Sequence, residues 1–242
     1  MNTPYAKDTL FLSVQAENTL HLNAPLFGKV VTDFQVNQAD TILYLPPNQQ
    51  DSLPSFDLVS AVICTNHDSR LNMIKLQKTI PVIVVAADVV FSQGDIISVS
   101  ERGRIHRYFR ASSQNNAFLV TEVCNNLCIM CPQPPKPQSR VNHGAIEQRI
   151  LQTLALIDNE HAPSSLCITG GEPTMLDDGL LRIVDGISVK MPQTLIHLLT
   201  NGRYLSDEYY TARLARAGRH QLLVGIPLFG HVSEIHDYVV QS

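Results

Sequence analysis

Apolar and polar positions follow two rhythms along this chain. Up to about residue 112 the apolar residues come in short alternating runs, at 9–14, 19–22, 29–34, 41–45, 58–64 and 82–85. Turn-forming stretches such as Pro46-Pro47-Asn48 and Asn66-His67-Asp68 separate them. Alternation bounded by turn residues is the signature of strands. Gln93-Gly94-Asp95 then leads into 96–99, and Arg102-Gly103 into 104–110, which predicts a hairpin. The expectation for residues 1–112 is a small β-rich domain with room for one short helix and no catalytic motif. Its Arg102, Arg104, Arg107 and Arg110 read as a solvated strand face, with a binding stripe for an acidic partner as the alternative. Cys64, alone in its run, reads as a small buried hydrophobe.

The polar stretch 111–116 reads as a linker, and beyond it the rhythm changes. Strands are predicted at 117–123, 166–169, 195–199 and 222–227. Between them Ile146, Ile150, Leu154 and Ile157 share one helix face, and Leu180, Ile183, Val184 and Ile187 share another. Ser206 caps a third helix that carries Tyr210 and Leu214 and stops at Gly218, and a fourth starts near Ser233. Alternating strands and helices make right-handed parallel units. Four units of roughly thirty residues fill 113–242, the unit size of a (β/α) barrel. The fold class is therefore α/β: a partial (β/α) barrel over residues 113–242, preceded by the β-rich domain at 1–112.

In such sheets chemistry gathers beyond the C-terminal ends of the strands. After the first strand comes Cys124-x3-Cys128-x2-Cys131; after the second, Thr169-Gly170-Gly171-Glu172-Pro173-Thr174; after the third, Thr200-Asn201-Gly202; after the fourth, Pro227-Leu228-Phe229-Gly230. Three thiols on one loop suit a soft metal centre, and thiolates favour iron–sulfur clusters and zinc. A cubane cluster normally takes four cysteines. Here a distant residue supplies the fourth ligand, or one iron stays open for a small molecule. A zinc knuckle with His143 as fourth ligand is the competing arrangement. Zinc sites more often pair two separated C-x2-C units, and no second pair exists, since Cys64 and Cys167 stand alone. Cys167 reads as a core residue, and no auxiliary cluster is expected.

The remaining loops suit a nucleoside with an amino-acid end. Gly170 and Gly171 permit close backbone approach and unusual torsions, and N–H groups there can meet a carboxylate. Glu172 can accept from an ammonium group, and Pro173 fixes the loop exit. Thr200 and Asn201 offer a hydroxyl and an amide to a ribose. Ile226 and Pro227 offer an apolar wall to an adenine, and Met130 is polarizable enough to lie beside one. A turn or core role is the alternative for each.

Composition narrows the partners. The net charge is −4, so no nucleic-acid footprint shows. No run of eighteen apolar residues exists, so no membrane span is expected. The N-terminus lacks the apolar core of a signal peptide. Clustered cysteines in such a chain point to ligands in a reducing cytoplasm rather than disulfides.

Together CNNLCIMCPQPP, TGGEPT, LLTNGR and the IPLFG…IHDYVV ending resemble the radical SAM superfamily, and their wording is most similar to the HxsC-type maturases of the His-Xaa-Ser system. The resemblance covers about residues 94–242. It implies a [4Fe-4S] cluster held by Cys124, Cys128 and Cys131, with the fourth iron open to the amino and carboxylate groups of S-adenosylmethionine. It implies reductive cleavage of that cofactor to a 5′-deoxyadenosyl radical, and modification of a peptide or protein substrate, a His-Xaa-Ser repeat protein. The electron would come from a reductase or flavodoxin-type donor. It assigns Gly170, Gly171, Glu172 and Pro173 to the methionyl end. The superfamily core usually has six strand–helix units, whereas this chain ends at or inside the fourth. The expectation is a C-terminally truncated barrel, with a cluster- or partner-binding remnant without turnover as the alternative to an enzyme.

Overall fold

The computed structural model describes residues 12–32, 40–46, 59–66, 68 and 80–241. The expected runs at 9–14, 29–34 and 58–64 lie partly outside these residues, as do Pro47, Asn48 and His67. The chain divides into two compact units, Met1–Ser112 and Ser113–Ser242.

In the first unit the described strands are β1 (Ser13–Gln15), β2 (Asn18–Leu20), β3 (Leu26–Val31), β4 (Thr41–Tyr44), β5 (Ala61–Thr65), β6 (Val82–Val85), β7 (Ile96–Val99) and β8 (Arg104–Phe109). They form one sheet in the order β1-β8-β7-β3-β4-β5-β6-β2. The β7–β8 hairpin is antiparallel as expected, with a bulge at Ile96/Ile97. The centre departs from a simple β-rich meander, because β3, β4, β5 and β6 run parallel. Parallel strands are buried on both faces, and β4, β5 and β6 are buried at every residue. Ile42, Tyr44, Ala61, Ile63, Ile83 and Val85 pack on one side. Leu43, Leu45, Val62, Cys64, Val82 and Val84 pack on the other. Cys64 is a core residue, as its solitary setting implied.

The arginine stripe does not form. Arg107 turns inward, its Nε 3.3 Å from a buried Asp95 oxygen, and its guanidinium lies over Phe91. Asp95 also accepts from the N–H groups of Ser92 and Ala111. Burial pushes the Asp95 carboxyl up, against the opposing pull of Arg107 and of these donors.

The second unit is α/β. β9 (Asn115–Leu119), β10 (Ser165–Thr169), β11 (Leu195–Leu199) and β12 (Leu222–Gly225) form a parallel sheet in the order β12-β11-β10-β9. Four helices follow the strands: α1 (His143–Leu156), α2 (Asp178–Lys190), α3 (Glu208–Gly218) and α4 (Ser233–Val240). This is part of a (β/α) barrel. Of the residues expected inside, Ile150, Leu154 and Ile157 and all four of Leu180, Ile183, Val184 and Ile187 are buried, whereas Ile146, in the first turn of α1, is only half-buried. β9 starts within the expected linker and ends at Leu119. β12 ends at Gly225, short of Pro227, which has no N–H to give a ladder. Asp207, not Ser206, caps α3, its side chain accepting from Tyr210 N at 3.0 Å. Ser206 instead closes a short 3-10 turn, Arg203–Ser206.

Candidate active site

The loops after all four strands meet. They line one cavity of about 510 Å³, together with His236 and Val240 of α4. The first loop brings Cys124, Asn126, Cys128 and Cys131. The second brings Thr169 to Glu172, the third Leu199 to Asn201, and the fourth Ile226, Pro227 and Phe229.

The cysteine loop is closed at its base. Lys136 N donates to Glu122 O at 2.9 Å, and Lys136 Nζ reaches the Glu122 carboxylate at 2.7 Å. Inside the loop, Cys131 N donates to Cys128 O at 3.0 Å. Two further bonds tie it to the chain end: Leu127 N donates to Val240 O at 3.1 Å and Ile129 N to Val239 O at 3.0 Å. Those bonds leave Met130 on the outside. It is 49% exposed and does not line the cavity, so its expected place beside an adenine is not what the structure shows.

Gly170 and Gly171 serve closeness, but to the protein itself. Neither has a positive φ. A Cβ on Gly171 would stand 2.3 Å from Val123 O, and one on Gly170 2.7 Å from Thr121 O. Gly171 N donates to Thr121 O at 2.9 Å, and Glu172 N to Val123 O at 2.8 Å. These N–H groups are engaged by the segment that leads from β9 into the cysteine loop, not free for a ligand carboxylate. The expected unusual torsion belongs instead to Gly202, with φ of 80° at the Asn-Gly bend.

Glu172 is a buried hub. Its Oε1 accepts from Thr174 N (3.0 Å), Thr174 Oγ1 (2.5 Å) and Thr200 Oγ1 (2.6 Å), and its Oε2 from Asn201 N (2.7 Å). Oε1 is thus crowded by three donors, whereas Oε2 accepts one and has room for a second. Pro173 opens the 3-10 turn Pro173–Leu176, is buried and does not line the cavity; its role is structural. The Thr200 hydroxyl is spent on Glu172.

Asn201 is likewise committed, and this network was missed in the sequence. Asn201 Nδ2 donates to Asn125 Oδ1 at 2.7 Å. Arg203 Nη1 donates to Asn125 O at 3.1 Å and to Asn126 Oδ1 at 3.0 Å. The third loop thereby holds the cysteine loop. The available signal was two asparagines inside a loop of cysteines and apolar residues. Ile226 is placed as expected, half-exposed on the cavity wall with its side chain over Gly202. His143 opens α1, with its Nε2 2.8 Å from Thr121 Oγ1. It does not line the cavity, so the zinc-knuckle arrangement loses its fourth ligand.

Burial pushes the Cys124 thiol up, and the nearby Glu172, Cys128 and Cys131 add to this against a bond from Asn126 N. Thiolates gathered beside a carboxylate are stable only around a cationic centre. Three thiols facing one cavity that is walled by Leu199, Ile226 and Phe229 fit a soft cluster with a small-molecule position beside it.

No family model matches the sequence. A molybdenum cofactor biosynthesis protein, moc-5 of Caenorhabditis elegans, is 29% identical over 127 residues, 51% of this chain and 19% of that protein. The GTP 3′,8-cyclase of Peptoclostridium acidaminophilum is 32% identical over 125 residues, 51% of this chain and 35% of that enzyme. The chain thus spans about a fifth and about a third of the lengths of these relatives. Among solved structures, BtrN in complex with AdoMet and 2-DOIA overlays with a TM-score of 0.36 at 21% identity, covering 46% of this chain and 45% of that one. Among the described residues no helix is long and apolar enough to cross a membrane.

Proposed function

We propose that this chain is a radical SAM enzyme. It holds a [4Fe-4S] cluster through Cys124, Cys128 and Cys131 and cleaves S-adenosylmethionine reductively to obtain a 5′-deoxyadenosyl radical. The observation that carries this reading is the single cavity in which three thiols meet the Gly170–Glu172 loop. The curated relatives, which align over half the chain, support it. When bound, the cluster supplies the electron that splits the cofactor's sulfonium bond. The chain's own residues do the rest. The three cysteines ligate. The free capacity of Glu172 Oε2 receives the methionyl amino group. Leu199, Ile226 and Pro227 wall the cavity against water, which strengthens every polar contact inside. Within that class, the wording of the loops favours the His-Xaa-Ser system, so the substrate is a peptide or protein carrying His-Xaa-Ser repeats. The electron donor is then a reductase or flavodoxin-type protein.

The test is iron and sulfide analysis of anaerobically purified protein, with EPR of the reduced form. The expected result is about four irons and four sulfides per chain, with a signal that changes on adding S-adenosylmethionine. Replacing any one of Cys124, Cys128 or Cys131 by alanine removes both. Zinc in place of iron, or a cluster signal indifferent to the cofactor, overturns the proposal.

A further inference from the structure

An amino-acid ligand carries an ammonium and a carboxylate on one carbon. The cavity offers the ammonium an acceptor, Glu172 Oε2, and withholds the donors expected for the carboxylate. The N–H groups of Gly171 and Glu172 are bound to Thr121 O and Val123 O. Thr200 Oγ1 is bound to Glu172, and Gln133 Nε2 to Glu122. Among the described residues no lysine or arginine lines the cavity. Cys167, expected in the core, is half-buried on β10 and does not line the cavity either, so the thiols there are those of the loop. Thr169, Asn126 and His236 are the neutral lining side chains that keep a donor, among the described residues. His236 belongs to the fourth loop's side, with its Nδ1 accepting from Phe229 N at 3.3 Å and its ring stacked on Phe229. Thr169 and His236 are half-buried. Asn126 is 4% exposed, and a polar group that deep is either paired or kept for a ligand.

The facing of the Asn126 amide is fixed. Its Oδ1 accepts from Arg203 Nη1 at 3.0 Å. A guanidinium only donates, so the oxygen edge is turned to Arg203 and the nitrogen edge away from it. Asn126 lines the cavity and Arg203 does not. Among the described residues Nδ2 makes no hydrogen bond. The backbone holds the residue in place, with Asn126 N donating to Cys124 Sγ at 3.4 Å. The same frame reaches Glu172: Arg203 N donates to Asn201 Oδ1 at 3.1 Å, and Asn201 N to Glu172 Oε2 at 2.7 Å. One short segment, 201–203, thus sets both the acceptor for an ammonium and the donor edge beside it. The Arg203 charge stands behind that amide. Hydrogen-bonded groups in a dry site polarise one another, which makes the free N–H edge a better donor to an anion.

We propose that Asn126 recognises the carboxylate of S-adenosylmethionine, its Nδ2 donating to a carboxylate oxygen while Glu172 Oε2 takes the amino group on the same carbon. Arg203 is the positioning residue that fixes which edge of the amide faces the ligand. This rests on the radical SAM reading above. The probes are S-adenosylmethionine and decarboxylated S-adenosylmethionine, which differ by that carboxylate alone. Their affinities for the iron-loaded full chain are measured by anaerobic equilibrium dialysis with the cluster oxidised, so that neither probe is cleaved. Wild type prefers the carboxylated probe. Asn126→Asp keeps an oxygen for Arg203 and sets a carboxylate against the ligand's own. It weakens S-adenosylmethionine about tenfold or more and does not weaken the decarboxylated probe. Asn126→Ser removes the amide without adding charge and narrows the preference about tenfold, which keeps the assignment testable if the aspartate lowers iron loading. Arg203→Met frees the amide to turn and narrows the preference by a smaller factor at equal iron content; an unchanged preference there overturns the role of Arg203. A preference unchanged in both Asn126 variants, or a wild-type chain that binds the two probes equally, overturns the assignment of Asn126 and spares the enzyme class. A wild-type chain that holds the cluster and binds neither probe overturns both readings.

Discussion

Four donors converge on the Glu172 carboxylate, and three residues from two different loops supply them. Removing the acceptor orphans them all inside the protein, where an unmatched polar group costs its full desolvation. Glu172→Ala is expected to lose about 3 kcal/mol of stability, measured by chemical denaturation. Glu172→Gln, which keeps the shape and one acceptor oxygen, should lose less. The residue types at this hub were legible in the sequence, since Gly-Gly-Glu-Pro after a strand is an unusual string. Their partners were not. A carboxylate that can receive a ligand and one that can receive a threonine hydroxyl are the same letter, and only the third dimension brings Thr200 within reach.

At the scale of elements, period carried well and coverage did not. The helix faces at 146–157 and 180–187 were readable because a 3.6-residue stripe has one interpretation. The strand Leu195–Leu199 was legible as a strand, but not that one face is packed, with Ile196 and Leu198 buried, while the other holds half-buried His197 between the exposed Leu195 and Leu199. Parallel pairing in the first unit was hidden likewise, because hydrophobic runs do not state strand direction. One strand carries a pH dependence. Burial, with the Arg104 charge adding to it, holds His106 of β8 below its ordinary value of 6.5. The unfolded chain therefore takes a proton here that the folded chain resists. This contribution is intact above 6.5 and is lost as pH falls through 6.5 toward the lowered value. Unfolding midpoints between about pH 7.5 and about pH 5.5 should decline, and His106→Gln should flatten that decline.

At the scale of the molecule, each unit has its own sheet and its own buried residues. A ligand that binds only the folded form stabilises the part that holds it. Chelating iron from loaded protein is expected to speed amide exchange about tenfold or more around residues 124–131 and 170–172, where opening is local. The amides of β3 to β7 should exchange at an unchanged rate. Equal acceleration in both units would contradict a site confined to the second.

The strands buried on both faces in the first unit have one further consequence. Where a strand has a polar side, a slip by one residue drives charge into the core and is forbidden. Beyond Thr41 at its start, β4 has no such side: Ile42 and Leu43, or Leu43 and Tyr44, can exchange faces with no charge driven into the core. What prevents slippage is shape. Tyr44 meets Phe91 edge to face at 5.3 Å and directs its hydroxyl at Val89 O. On the neighbouring strand, Gly28 leaves room for Asp40 O where any Cβ would stand 2.3 Å away. Alignment here is read from volume rather than polarity, so exchanges among valine, isoleucine and leucine that look neutral on a hydropathy scale act on the one property that holds the strands in step.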